Sequence, residues 1–257
     1  MTSDLSIKET RPVTDPARRK RTDQIADEIK KTIINDNLVP GDRLPQEKDL
    51  TTRFAAGKGT VREALKSLEV QGLIRTRTGP GGGAFIESMS ETRAMSLLSN
   101  YLFTRQLSIS DIYSLRKALE PVVAVSAIEN MDEAGFDQLQ QLISVYDRDP
   151  ANDQERWDQL MAELDFHGVV ASYSDNVLLA FICHFLQRLL KDLAVCKKIY
   201  KRQEPIERSE GIALQTRLID AMRRRDAQQV EQVMREHMHH AEKTMVALRA
   251  TLDTAFL

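Results

Sequence analysis

The chain has 257 residues, of which 42% are hydrophobic and 29% charged, and a formal net charge of -2. This suffices for one large core or two ordinary ones, while no apolar run approaches the roughly 18 residues that span a bilayer and the polar start MTSDLSIKET is no signal peptide. The two cysteines, Cys183 and Cys196, lie in apolar helical sequence, which argues against a disulfide framework or a Cys-x-x-Cys metal site and for core thiols in a soluble, cytoplasmic protein.

Eight of the 11 glycines fall between Gly41 and Gly83, so a turn-rich region precedes a long, nearly glycine-free region expected to be helical. Charge divides in the same place. Residues 1–90 hold 16 Lys and Arg against 13 Asp and Glu, a net +3, and the remainder holds 20 against 25, a net -5. The basic end suits a polyanion.

Residues 1–20 are polar, with Pro12, Pro16 and the run Arg18, Arg19, Lys20, Arg21, and read as a flexible basic arm. The spacing Ile25, Ile29, Ile33 predicts a first helix that ends before Pro40 and Gly41. A short second helix is expected over 46–54, with Leu50 and Phe54 on one face. The third, within Gly57 to Gly72, places Val61, Leu65 and Leu68 on an apolar face and Lys58, Arg62 and Lys66 on another. Three helices with a tight turn before the third follow the helix-turn-helix plan. Two strands, 73–77 and 84–86, joined by a glycine tip predict a wing. That glycine run opens no helix, which argues against a nucleotide-binding loop.

Leu44-Pro45-x-Glu47-Lys48-x-Leu50, Thr60-Val61-Arg62-Glu63-Ala64-Leu65, Leu68, Gly72-Leu73-Ile74 and Gly79-x-Gly81-x-x-Ala84-Phe85-Ile86 together resemble the winged helix-turn-helix of the GntR family of bacterial transcription regulators. The resemblance assigns 21–87 to a DNA-binding domain in which Lys48, Lys58, Thr60 and Arg62 face DNA and Gly81 and Gly82 approach the minor groove. Arg62 is the expected base reader, because a guanidinium matches guanine O6 and N7. This chain departs from the family pattern in having Gln46 after the Leu-Pro and Gly57-Lys58 before the recognition helix. Gly57 removes a capping hydroxyl, and Lys58 lacks a bidentate fork.

After a joint at 88–92, seven helices are predicted near 93–104, 109–129, 132–147, 152–173, 177–201, 206–224 and 226–250. The fold class is therefore mainly α: a winged head of three helices and two strands, then an all-α antiparallel bundle over 93–250. Asp111-Ile112-Tyr113-x-x-Arg116-x-x-Leu119-Glu120-Pro121, Glu163-x-x-Phe166-His167, Asn176, Arg225-Asp226 and Met234-Arg235-Glu236-His237 resemble the FCD effector domain of the FadR branch of that family. The resemblance implies effector binding and dimerisation here. It also implies a divalent metal, zinc or nickel, with Glu163, His167 and His237 as ligands, although the position of a further histidine falls on Gln215. The competing reading is a metal-free polar pocket in which His167, His237 and Gln215 hold the effector. Arg116 suits either a carboxylate clamp or a salt bridge to Glu120 four residues on. Asn176 reads as a helix cap that also reaches the pocket, and His239 and His240 as exposed or interfacial.

The expected function is a metabolite-responsive transcription regulator, a repressor that binds a palindromic operator as a homodimer and is released by a small carboxylate. Two alternatives stand beside it. One is a helical metal-dependent enzyme on a DNA-binding head, with Glu163 as base; the other is a constitutive DNA binder with an inert bundle.

Overall fold

Ile25 and Ile29, each 1% exposed, fix the buried face of helix α1 (Arg21–Asn35). Helices α2 (Glu47–Arg53) and α3 (Lys58–Val70) follow, and both α1 and α2 pack on α3. The contact is made by Leu50 with Val61, Ala64 and Leu68, and complete burial of such side chains contributes about 1.5–3 kcal/mol each. Gly72, at φ +78°, ends α3 in the left-handed conformation, and Leu73 N–H closes on Leu68 C=O.

The wing is an antiparallel pair, β1 (Ile74–Arg77) with β2 (Gly83–Ile86), in the register Ile74 opposite Ile86 and Arg77 opposite Gly83. Glu69 of α3 accepts hydrogen bonds from the Thr76 amide at 2.7 Å and its hydroxyl at 2.5 Å, which ties the wing to the helix.

The structure is a computed structural model that describes residues 21–103, 105, 107–197 and 205–254; the expected arm at 1–20 lies outside them. Two compact units divide between Ala94 and Met95. Helix α4 (Glu91–Phe103) begins before that point, and α5 (Ile109–Ala127), α6 (Glu133–Val145), α7 (Asp153–Ser172), α8 (Val177–Lys197), α9 (Pro205–Arg223) and α10 (Ala227–Thr254) follow. The mainly helical plan and the two-stranded wing thus agree with the sequence reading.

Local chemistry places the helix starts. Ser108 and Asp111 form a reciprocal capping box at α5, and Asp132 and Asn152 cap α6 and α7. Within the second unit α5 lies against α7, α8 and α10. The core of this unit includes Phe136, Phe166, Leu190, Leu218 and Met238, all 2% exposed or less. Buried Cys183 joins this core, and burial pushes its thiol up to about 12, so it stays protonated and inert. The Cys196 side chain lies outside the described residues.

Candidate functional site

Two polar constellations stand out, one in each unit. In the winged head, Val61, Leu65 and Leu68 of α3 face the core while Lys58, Arg62 and Lys66 are exposed on the far side. Gly57 is the N-cap residue of α3 and supplies no side-chain cap, as the loss of a hydroxyl there predicts. Lys48 is exposed and Thr60 half-buried. Arg62 is not loose, because its Nε donates to Glu47 Oε2 at 2.8 Å.

At the wing tip Gly81 is exposed, and a Cβ on Gly82 would lie 2.4 Å from Arg77 O, so only glycine fits there. Arg43 donates to Gly82 O. The guanidinium carbons of Arg77 and Arg43 lie 4.7 and 5.9 Å from the Phe85 ring centroid. Arg43, Arg77 and Glu47 were not assigned a role from sequence. Their signal, basic residues flanking a glycine tip and an acid 15 residues before an arginine, acquires meaning only when the elements meet.

The second constellation is a buried polar run. Arg116 Nε lies 2.6 Å from Glu120 Oε1, one turn along α5, and the two side chains are 1% and 3% exposed. Glu120 Oε2 lies 2.5 Å from His167 Nδ1 on α7. His167 Nε2 in turn lies 3.3 Å from His237 Nε2 on α10. Burial alone would raise the Glu120 carboxyl, but the Arg116 and His167 charges outweigh it and hold it to about 2. Burial pushes His237 well below the ordinary imidazole range, with His167 acting in the same direction, so its ring is neutral at pH 7.

Beside this run is a small cleft lined in part by Tyr146, Gln159, Glu163, Gln215 and His240. Its volume is about 10 Å³, roughly the room of one water. Burial raises the Glu163 carboxyl, and the nearby His167 and Arg116 charges offset only part of that. Tyr146 OH donates to Gln215 Oε1 at 2.7 Å, which fixes the amide and leaves Gln215 Nε2 without a partner. Arg116 Nη2 and His237 Nδ1 are also buried and unpartnered. Orphan buried polar atoms are uncommon in folded proteins and costly.

The donor set does not fit a metal centre. Two imidazole nitrogens 3.3 Å apart would suit adjacent positions on zinc. However, the third position is Gln215, whose oxygen is taken by Tyr146 and whose free atom is an N–H donor. Among the described residues no group of three or more His, Cys, Asp and Glu is arranged to hold an ion. The described arrangement therefore gives the expected ligand set Glu163, His167 and His237 no support.

Other expectations also change. Arg116 is committed to Glu120 through Nε, and its Nη2 is without a partner. Asn176 is exposed and accepts from the Leu179 amide at 3.0 Å as a cap of α8, and it does not line the cleft. His239 is exposed as expected, whereas His240 is half-buried and lines the cleft, because position i+3 from His237 still faces α9. Glu120 was seen only as a partner for Arg116; its bond to His167 spans 47 residues and has no local signal.

The family model described as bacterial regulatory proteins, gntR family, matches residues 21–86, and the FCD domain model matches residues 111–240. The HTH-type transcriptional regulator LutR of Bacillus subtilis (strain 168) is 26% identical over 214 residues, which are 83% of this chain and 95% of that protein. The HTH-type transcriptional repressor NanR of Citrobacter rodentium (strain ICC168) is 24% identical over 242 residues, 90% of this chain and 88% of that one. The solved structure of Streptococcus agalactiae GntR shares the fold, with a TM-score of 0.56 at 21% identity over 86% of this chain and 99% of that chain.

Proposed function

The chain belongs to the gntR family of bacterial regulatory proteins, with an FCD domain behind its DNA-binding head, and we propose that this metabolite-responsive regulator is a repressor released from its operator by a small carboxylate. The family and its relatives are transcription regulators, not enzymes, so Glu163 is not a catalytic base. No helix among the described residues is long and apolar enough to cross a membrane. The protein is assigned to the cytoplasm, where its DNA is.

The observation that carries the effector reading is that Arg116 Nη2, Gln215 Nε2 and His237 Nδ1 are among the buried nitrogens without a hydrogen-bond partner. A carboxylate offers about four acceptor sites and would meet such donors directly, with His167 holding the His237 ring and Glu163 in the adjoining cleft. No metal takes part in this reading. With a free volume near 10 Å³, the cleft must widen to admit an organic acid. An organic acid that enters would therefore favour a wider arrangement of the surrounding helices, and such differential affinity is what coupling requires.

On DNA, Arg62 is assigned to base readout, Lys48, Lys58 and Thr60 to the backbone, and Gly81 and Gly82 to the wing's approach to the minor groove. One head covers few base pairs, so a homodimer on a palindromic operator supplies the specificity. The repressor sign is supported by the name of NanR.

A thermal-shift screen of organic acids, with and without chelator, on wild type and Gln215→Glu tests the effector site. A carboxylate should stabilise the wild type equally in both conditions, whereas the added charge at position 215 should abolish the shift. Stabilisation that disappears on chelation would contradict the metal-free pocket, and no stabilisation by any acid would favour an inert bundle.

A further inference from the structure

Resting on that reading of α3, we propose that Glu47 is a specificity-determining positioning residue: its carboxylate holds the Arg62 guanidinium in the orientation that reads a base.

The two residues project from helices that are fixed against each other. Leu50, three residues after Glu47, and Val61, immediately before Arg62, are 2% and 0% exposed in the same core. Neither backbone can drift without opening that core. Glu47 Oε2 accepts from Arg62 Nε at 2.8 Å, with the side chains 30% and 69% exposed.

The geometry of the bond decides what remains available. A guanidinium carries five N–H donors in one plane. With Nε committed to Glu47, Nη1 and Nη2 of this exposed side chain remain, and an edge formed by those two supplies two parallel donors that match guanine O6 and N7. An exposed ion pair of this kind contributes little to stability. Its effect is to select one rotamer of a long, flexible side chain before DNA arrives.

A carboxylate on this face also carries a penalty that identifies its role. Lys48, Lys58 and Lys66 are exposed on the same two helices, and the attraction of such cations for phosphate is independent of sequence. An acid among them weakens binding to every duplex alike. Glu47 therefore opposes non-specific binding while it favours readout, and its removal should move the two affinities in opposite directions. Asp49 provides the contrast: it lies in the same first turn of α2 and is exposed, and it has no bond to Arg62.

The test measures dissociation constants by fluorescence anisotropy, at one fixed salt concentration, on two probes. One is the duplex that wild-type protein enriches from a random-sequence pool, and the other is a scrambled duplex of the same composition. Glu47→Gln should bind the scrambled duplex severalfold more tightly and the enriched duplex more weakly, so that the ratio between them falls by about tenfold, within the range of one bidentate base contact. Glu47→Asp keeps the charge but draws the carboxylate back by one methylene. It should lower the ratio while leaving the scrambled duplex unaffected, and it separates geometry from charge. Asp49→Asn should tighten both duplexes and leave the ratio unchanged. Combined with Arg62→Ala, Glu47→Gln should cause no further loss of ratio, because the two residues act as one unit.

If Glu47→Gln tightens both duplexes equally, or if the double variant discriminates less than Arg62→Ala alone, the proposal is overturned. If the wild type enriches no duplex at all, base readout by α3 falls first, and this inference falls with it.

Discussion

The Nε2 atoms of His167 and His237 lie 3.3 Å apart, and their rings stack with planes 11° from parallel inside the helical unit. His167 is oriented from behind by Glu120, and Glu120 in turn by Arg116. The run crosses α5, α7 and α10, and each member depends on the one before it. Its two ends, Arg116 Nη2 and His237 Nδ1, lack partners, and those ends are what the proposed effector would satisfy.

Removing the head of this run should be costly. Arg116→Met leaves the Glu120 carboxylate buried with only His167 beside it, and breaking a buried pair from one side typically costs about 3–5 kcal/mol. Urea unfolding of the full chain should show a loss of that order. Adding Glu120→Leu should recover part of it, since the carboxylate that lost its Arg116 partner is then gone.

Stability should depend on pH through Glu163. Its folded-state pKa is raised by burial, so the protonated carboxyl favours the fold below the ordinary glutamate value near 4.5, and this contribution is lost as pH rises through the raised value. Glu163→Gln removes the dependence. The melting temperature of the variant relative to wild type should therefore climb as pH increases from about 4.5. His237 acts with the opposite sign, because its depressed pKa makes stability fall as pH drops below 6.5. Taking the difference between variant and wild type isolates Glu163.

Metal removal should leave the melting temperature of the wild type unchanged, and zinc or nickel should not raise it. Gln215→His replaces a buried, unpartnered N–H donor with an imidazole in the unit that holds His167 and His237, and this variant should gain metal-dependent stabilisation. A fall in wild-type melting temperature on chelation would show that the cleft holds an ion after all.

On DNA, Arg62→Ala should cost about 1–3 kcal/mol on the preferred duplex and relax specificity at one base position. Lys58→Ala should weaken all duplexes similarly and reduce the salt slope by about 1, the signature of a phosphate contact. Equal losses on preferred and random DNA in Arg62→Ala would make it a phosphate clamp instead.

The elements were legible from sequence because their signals are local. The spacing of Ile25 and Ile29 and the glycines of the wing tip each announce a structure within a few residues. The exposed face of α3 was legible for the same reason, since helical periodicity separates Val61 and Leu68 from Lys58 and Arg62; that this face meets DNA is what the family resemblance implies. What could not be read was pairing across elements. Glu120 was visible as an i,i+4 partner of Arg116, but its bond to His167 depends on how α5 meets α7. The amide orientation of Gln215, which leaves its N–H rather than its oxygen free, is set by Tyr146 from 69 residues away. Glu47 stands in a quoted motif, yet its relation to Arg62 appears only once α2 lies on α3.

The central claim is that occupancy of the cleft beside His237 and Gln215 controls DNA binding by a head that carries no part of that cleft. The most direct measurement is the dissociation constant for the enriched duplex, by anisotropy, with and without each organic acid that stabilises the protein, in wild type and in Gln215→Glu. At least one such acid should weaken wild-type DNA binding tenfold or more and leave the variant unaffected. If every acid that binds the helical unit leaves the DNA affinity unchanged, the claim is wrong.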